Sequence, residues 1–426
     1  MQQIADFHIH SRYSRACSPQ LELENIDKTC RIKGVDIVAT GDFTYPQWFS
    51  DIENKLEEIE NSGLYKIKKE FKIETPEFKK INQNAKFILS TELALIYTAG
   101  GKCRRIHIMV MAPDLKAVRE LNKYLDKKYN IRSDGRPILG MSAIDLAEIC
   151  FSINPKFLIF PAHIWTPWFA VFGSKSGFDT MEECFGKQTK NIFAYETGLS
   201  SDPEMNARLS MLDKLTVLSD SDAHSLRNIG REANVFDLEK VTYDEIYELI
   251  KNNDKKKIKY TIEFYPEEGM YHLDGHRACG VSFTPSETKK HKGICPVCKK
   301  PLTIGVSNRV DELADRPEGF KLKNAVEFKK LIELDKIISE VLNIKNRGAK
   351  KVQEEYLRLI KELGTELDIL MNIQIDKIKK SASGLIAEGI EKARKGDLII
   401  KPGFDGHYGE IKIFNNKKKN KQNQLL

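Results

Sequence analysis

From residue 1 to about residue 250, short apolar runs of β type alternate with amphipathic helical stretches, and nearly every run ends beside a histidine or a carboxylate. The runs cover residues 3–10, 35–40, 86–91, 106–111, 157–161, 192–195 and 215–218. Helical stretches at 24–33, 115–127, 143–151 and 203–212 lie between them. Strands that alternate with helices predict a βα architecture with a largely parallel sheet. A ring of such units gathers its chemistry at the C-terminal strand ends.

Those ends carry side chains that bind metals. In the segment DFHIH, His8 and His10 alternate, so on a strand their imidazoles share a face. Asp42 follows the second run, Glu92 ends the third, and His107 lies in the fourth. His163 follows the fifth run in PAH, and Glu196 ends the sixth. Asp220, Asp222 and His224 alternate after the seventh, in LSDSDAH. His8, His10, His107, His163 and His224, out of nine histidines, therefore sort to strand ends. Taken singly, each is explained as a polar cap on a strand. Together they predict a polynuclear metal centre, with a donor set that suits Zn, Mn or Fe.

Residues 251–262 open on KNNDKKKIKY and mark a boundary. The next segment holds two pairs, His276 with Cys279 and Cys295 with Cys298, each separated by two residues. Two such pairs facing each other form a tetrahedral Cys₃His site, which predicts one structural zinc with no open coordination position. His272 competes as fourth ligand at a less suitable spacing. Residues 323–395 read as helical: Ala325, Phe328, Leu331, Ile332, Ile338, Val341 and Leu342 recur at helical spacing. The segment IIKPGFDGHYGEIKIF has turn residues between two apolar runs, as a small hairpin would. The expected organisation is a barrel over 1–250, a zinc module over 263–312, a helical domain over 313–414 and a basic disordered tail over 415–426.

Composition excludes several classes. No apolar run approaches the ~20 residues of a bilayer span. The N-terminal MQQIADFHIH has no secretory pattern. Eight cysteines in 426 residues are too sparse for a disulfide scaffold. A cluster with metal-type spacing fits a reducing cytoplasm. The net charge of +7 permits a polyanionic partner without demanding one.

HIH, GD, TE with a later H, PAH and DAH, spread over residues 3–235, resemble the motifs of the polymerase-and-histidinol-phosphatase (PHP) domain. The resemblance implies a distorted seven-stranded βα barrel that hydrolyses phosphate esters with up to three metals. It implies that His8, His10 and Asp222 hold one metal, that Glu92 bridges to a second held by His107 and His163, and that His224 belongs to a third position. Two features depart from the common pattern: Asp42 is followed by Phe43, and SRYSRACS lacks the usual third histidine. Asp42 remains a ligand or base candidate. The whole chain is similar to the endonuclease Q family through DFHIHSRYSRACS, TGDFTYP, PAHIWTPW, ETGLSSDPEMN, LSDSDAHS with GRE, and YHLDGHRAC with CPVC. That resemblance implies an enzyme that nicks DNA 5′ to deaminated bases (uracil, hypoxanthine, xanthine) and abasic sites, leaving a 3′-hydroxyl and a 5′-phosphate.

An enzyme that inspects a base takes it out of the stack. Trp165, Trp168 and Phe169 follow His163 and can form an aromatic wall for it. Arg12, Arg15, Arg104, Arg105, Arg227 and Arg231 flank strand ends and are candidates for phosphate contact. The expected chemistry is in-line attack by metal-activated water, with Asp42, Glu196, Asp222 or His224 as the acid–base groups. Expected cofactors are two or three divalent ions (Zn, Mn, Mg or Fe) and one structural zinc. The expected partner is damaged DNA, with no membrane; the expected place is a prokaryotic cytoplasm, at the nucleoid when on DNA. Two other readings stand beside this one: a different PHP phosphoesterase (phosphatase or 3′–5′ exonuclease), and a non-catalytic zinc-dependent DNA-binding protein.

Overall fold

The computed structural model describes residues 1–81 and 84–415. In chain order its first strands are β1 (Gln2–Asp6), β2 (Ile37–Ala39), β3 (Leu56–Glu58), β4 (Tyr65–Ile67), β5 (Lys86–Ile88), β6 (Ser90–Ala99), β7 (Lys102–Met111), β8 (Ile138–Leu139) and β9 (Leu158–Pro161). Then come β10 (Ala194–Glu196), β11 (Thr216–Leu218), β12 (Ala233–Asp237), β13 (Ile258–Glu263), β14 (Asp274–His276), β15 (Val281–Phe283), β16 (Glu327–Lys330), β17 (Ile399–Lys401) and β18 (Glu410–Lys412). Each of the seven expected runs carries a strand. The fold class is α/β with a helical C-terminal region, as expected.

The ladders do not trace one sheet of seven strands. Among the described residues an eight-stranded sheet runs β16-β13-β12-β1-β2-β5-β4-β3, a four-stranded sheet runs β8-β6-β7-β9, and β10 pairs with β11. β1, β2 and β5 are parallel, and a bridge between Ile9 and Ala223 links the end of the first run to the end of the seventh. β2 is buried on both faces, as a strand covered by helices must be. β6 and β7 form a long antiparallel hairpin, of which sequence periodicity reveals only the inner ends.

Helices cover the strands. Leu23–Lys33 ends at Gly34, whose φ of 90° is left-handed. A Cβ there would meet Thr365 Oγ1 at 2.6 Å, so this turn is also where the helical region seats on the barrel. Leu115–Asp126 starts under an Asp114 cap, and Ala143–Ile153 starts under a Ser142–Asp145 capping box. The helix expected at 203–212 is shorter. Only Pro203–Asn206 is α-helical, because the Asn206 amide turns inward to Ser201 Oγ and the Asp202 carbonyl.

The helical reading of 323–395 needs one correction. Residues 327–330 form β16, parallel to β13, and not a helix. The open edge of β13 captures a short apolar run whose period fits either element. Helices begin at Leu334–Val341 and continue as Lys350–Leu363, Glu366–Met371, Ile375–Ser381 and Gly384–Lys395. Leu334, Ile338, Val352, Leu359, Ile369, Ile378 and Ile390 make their own apolar core. Lys33 with Glu366 at 3.0 Å ties that core to the barrel. β17 and β18 form the expected hairpin. Apart from Asn415, the expected tail lies outside the described residues. Among the described residues, no helix is long and apolar enough to cross a membrane.

Candidate metal centre

The first run delivers His8 and His10 just past β1. The Phe7 N–H donates to Asp220 Oδ1 at 2.7 Å, and the His10 N–H donates to the Ala223 carbonyl at 3.1 Å. Glu92 sits on β6 and His107 on the facing β7, two residue pairs apart in the ladder. His163 follows β9, and Asp222 follows β11. Asp42, His163 and Asp222 hold left-handed φ of 43°, 28° and 45°, and Phe169 holds 61°. Non-glycine residues in that region cost on the order of 1–3 kcal/mol each, and such strain clusters where function fixes the backbone.

Two donor sets result. His8, His10, Glu92 and Asp222 offer ligand atoms within 4.8 Å of one another, and so do Glu92, His107 and His163. Glu92 belongs to both. Its Oε2 faces His8 Nε2 at 3.6 Å and His10 Nε2 at 3.3 Å. Its Oε1 faces His107 Nδ1 at 2.7 Å and His163 Nε2 at 3.1 Å. His8 and His163 ring centroids lie 6.2 Å apart, and those of His107 and His163 lie 5.1 Å apart. His8 Nε2 is buried without a hydrogen-bond partner. An unpartnered ring nitrogen aimed among carboxylate oxygens is what a divalent cation satisfies once it displaces the proton.

A second layer fixes the imidazoles. Glu196 Oε2 lies 2.9 Å from His8 Nδ1, and its Oε1 accepts from the His163 N–H at 3.2 Å. Asp42 Oδ1 lies 3.1 Å from His10 Nδ1; its Oδ2 accepts from the Ser11 N–H and from the hydroxyls of Ser11 and Ser14. Each carboxylate leaves Nε2 of its histidine free to ligate. Both carboxylates are fully buried, and neither joins a donor set. His224 also stays outside the sets. It is partly exposed beside His10, with its Nδ1 2.9 Å from the Asp222 carbonyl oxygen.

Charge follows geometry. Burial pushes the His8 pKa down, but Glu196, Glu92 and Asp222 override it and raise it well above the usual imidazole range. His10 is raised likewise, against burial, by Asp42, Asp222 and Glu92. Burial lowers His107 to about 4, with Arg136 and His163 adding to the effect. Glu92 and Asp222 are held well below the carboxylate range, against burial, by the cationic groups around them. Without metal, imidazolium ions balance the carboxylates; cations that bind must displace those protons.

The substrate candidates divide. Trp165 is buried against Phe172 and donates to Asn206 Oδ1 at 2.7 Å, so it braces the loop from inside and is not part of an open wall. Trp168 is 40% exposed and meets Tyr271 edge-on at 5.5 Å. Phe169 lies against the His107 ring at 4.7 Å. Arg15 is exposed. Arg12 pairs with Glu22, and Arg227 pairs with Asp335 at 3.2 Å. Arg231 Nε donates to the Ser221 carbonyl at 2.9 Å, which holds the Asp222 loop from behind. Arg104 serves the β6–β7 hairpin over Phe178, and Arg105 is exposed beside it. Sequence reasoning missed Arg136, whose Nη1 donates to Glu92 Oε2 at 2.7 Å. It also missed Tyr271. The only available signal for Arg136 was SDGRP, a turn sequence well away from any metal-type residue.

The β14–β15 hairpin and its turn present His276 and Cys279; a second turn presents Cys295 and Cys298. All four ligand atoms lie within 4.8 Å of one another. Burial pushes the Cys295 thiol up, but the N–H groups of Cys298 and Val297 hold its pKa below the usual value. His272 is spent elsewhere, with its Nε2 3.2 Å from Ser307 Oγ.

Residues 333–397 match the family model "MJ0043 C-terminal domain". The uncharacterized protein MJ0043 of Methanocaldococcus jannaschii is 34% identical over 58% of this chain, and the match covers 31% of that longer protein. YqxK of Bacillus subtilis, also uncharacterized, is 30% identical over 72% of this chain and 74% of its own. The crystal structure of the lesion-specific endonuclease PfuEndoQ from Pyrococcus furiosus superposes with a TM-score of 0.83 at 30% identity, covering 99% of both chains. A crystal structure of endonuclease Q with a 27-mer duplex substrate, an abasic lesion at its active site, gives 0.82 at 31% identity over 97% of both. With this identity along nearly its whole length, the chain belongs to the endonuclease Q family.

Proposed function

We propose that this protein is a metal-dependent endonuclease that cuts the DNA phosphodiester 5′ to deaminated bases and abasic sites, leaving a 3′-hydroxyl and a 5′-phosphate. The observation that carries the reading is the pair of donor sets joined by Glu92. Divalent ions (Zn, Mn, Mg or Fe) held there would supply an activated water and neutralise charge on the phosphate. The residues divide the remaining work. His8, His10 and Asp222 are the ligands of one position, His107 and His163 of the other, with Glu92 shared. Glu196 and Asp42 orient His8 and His10. Their oxygens are spent on that task, which leaves His224 as the acid–base candidate with an accessible ring. Burial lowers the His224 pKa, with His10 and Arg136 adding to the effect, so it is neutral at neutral pH and able to take a proton. Trp168, with Tyr271 beside it, is the exposed surface on which an extruded base or its neighbour stacks. His276, Cys279, Cys295 and Cys298 hold a structural zinc. The substrate places the protein with the DNA of a prokaryotic cytoplasm.

A panel of end-labelled duplexes tests this reading. The lesions are uracil, hypoxanthine, xanthine and an abasic site, each assayed with Mg, Mn and Zn beside p-nitrophenyl phosphate. Cleavage 5′ to the lesion is expected, with none in undamaged duplex. Asp222→Ala should abolish cleavage and leave DNA binding measurable. Turnover of the small ester alone, or unimpaired cleavage by Asp222→Ala, would defeat the proposal.

A further inference from the structure

Arg136 reaches the centre through strand register. β8 runs parallel to β6 with Ile138 opposite Ala94, so two residues earlier Arg136 stands opposite Glu92. Its backbone is pinned. The Arg136 N–H donates to Asp134 Oδ1 at 3.0 Å, and the Gly135 N–H donates to the Tyr13 carbonyl at 3.0 Å. A Cβ at Gly135 would come within 2.4 Å of Asp42 Oδ2, so the loop lies directly against the second layer. The side chain is not enclosed in the same way. It is 23% exposed, whereas Glu92 is fully buried beneath it.

The guanidinium contacts Glu92 Oε2, the oxygen that His8 and His10 also face. A divalent ion in that donor set would place two cationic groups on one carboxylate oxygen. At that separation their repulsion is severe, and the more mobile group yields. A guanidinium anchored by its backbone and 23% exposed can swing toward solvent once its contact with Glu92 is given up. Three of the other arginines first expected to bind phosphate are engaged elsewhere, Arg12 with Glu22, Arg227 with Asp335 and Arg231 with the Ser221 carbonyl, while Arg15 and Arg105 are exposed and outside the donor sets. Planar bidentate donors are the preferred partners of phosphate oxygens.

Building on the endonuclease reading above, we infer that Arg136 binds the non-bridging oxygens of the scissile phosphate, and that its ion pair with Glu92 is a resting position it leaves when metal takes that carboxylate. A purely structural clamp on Glu92 predicts the reverse for metal. Removing a clamp weakens metal binding; removing a competing cation does not.

The test uses the full-length protein and its Arg136→Met and Arg136→Lys variants, loaded with Mn²⁺. Metal content and Mn²⁺ affinity are measured first. Binding of inorganic phosphate to each loaded protein is then measured by calorimetry, and turnover on abasic duplex is measured last. Arg136→Met should bind Mn²⁺ at least as tightly as the parent. It should bind phosphate ~10–100-fold more weakly, the loss expected of a charge-assisted contact. Its turnover should fall on the order of 10²-fold, and Arg136→Lys should recover part of both losses. Weaker Mn²⁺ binding in Arg136→Met, or unchanged phosphate affinity, overturns the inference. If the parent cuts no lesion duplex yet its phosphate affinity depends on Arg136, the substrate reading fails and the role of Arg136 stands.

Discussion

At the barrel mouth, His8, His10 and Glu92 are fully buried and rest on a core that includes Ile9, Leu93, Ile108, Ile164 and Ala223. At the knuckle, among the described residues, the local core is only Val281, Cys295 and Leu302, with the partly buried Cys279, Phe283 and Cys298 packed against it. Both regions gather ligand atoms within the same 4.8 Å. They differ in what would hold those atoms together without a cation. The mouth has protonated imidazoles, Arg136 and the second-layer carboxylates to balance and aim the ligands. The knuckle has thiols, one imidazole and almost no apolar surface. One set is formed by its fold; the other, with so little core of its own, is expected to need a bound metal in order to fold.

Breaking the knuckle should therefore produce the largest effect. Structural zinc contributes on the order of 10 kcal/mol in small modules. Cys295→Ser should lose one zinc per chain and open residues 274–302 to proteolysis. The barrel should stay folded, because its core does not include these residues. Limited proteolysis with metal analysis reads this directly. A knuckle that stays protected in the variant, or in chelator, would show that the two regions do not differ in this way.

The opposite behaviour is expected at the mouth. Glu196→Gln keeps shape but removes the charge behind His8, which is worth ~10–100-fold in metal affinity or activity for a group of this kind. Thermal stability of the metal-free protein should hold, since the surrounding core is untouched. Metal titration beside a melting curve separates the two quantities. A variant that unfolds without losing metal affinity first would place the mouth in the same category as the knuckle.

How much of this was legible in the sequence follows the same division. The donor side chains that gather at the mouth could be read because strand ends are local: His8 and His10 alternate, and Asp222 closes an apolar run. The knuckle could be read from spacing alone. The layer behind the ligands was less visible. Asp42 and Glu196 have the same side-chain chemistry as ligands, and only their distances show that they aim histidines. Trp165 and Trp168 stand in one loop, yet one is buried and the other exposed, a difference set by packing against Phe172. Arg136 depends on the register of a two-residue strand, which no period reveals. Phe328 sits at helical spacing but pairs on the edge of β13, because an open edge outweighs a short pattern.

The smallest expected effect concerns Glu263, a buried carboxyl group behind the strand ends that belongs to neither donor set of the mouth. Glu263 on β13 is fully buried, with Thr261 Oγ1 2.5 Å from its Oε1 and Thr197 Oγ1 3.1 Å from its Oε2. Burial raises its pKa to about 8, and Asp202 adds to the rise against the hydroxyl groups that lower it. The folded state therefore holds this proton more tightly than the unfolded chain, whose value is near 4.5. Its contribution to stability is complete below that lower value and is lost as pH rises toward 8. Glu263→Gln keeps the neutral shape at every pH. Its advantage over the parent should be absent near pH 4.5 and should grow to a few degrees by pH 8.5, at about 1 °C per kcal/mol for a chain of this size. Melting curves of both proteins across that range, in chelator, give the answer. Parallel curves would mean that Glu263 ionises alike in both states, and its burial would then bring no pH-dependent strain.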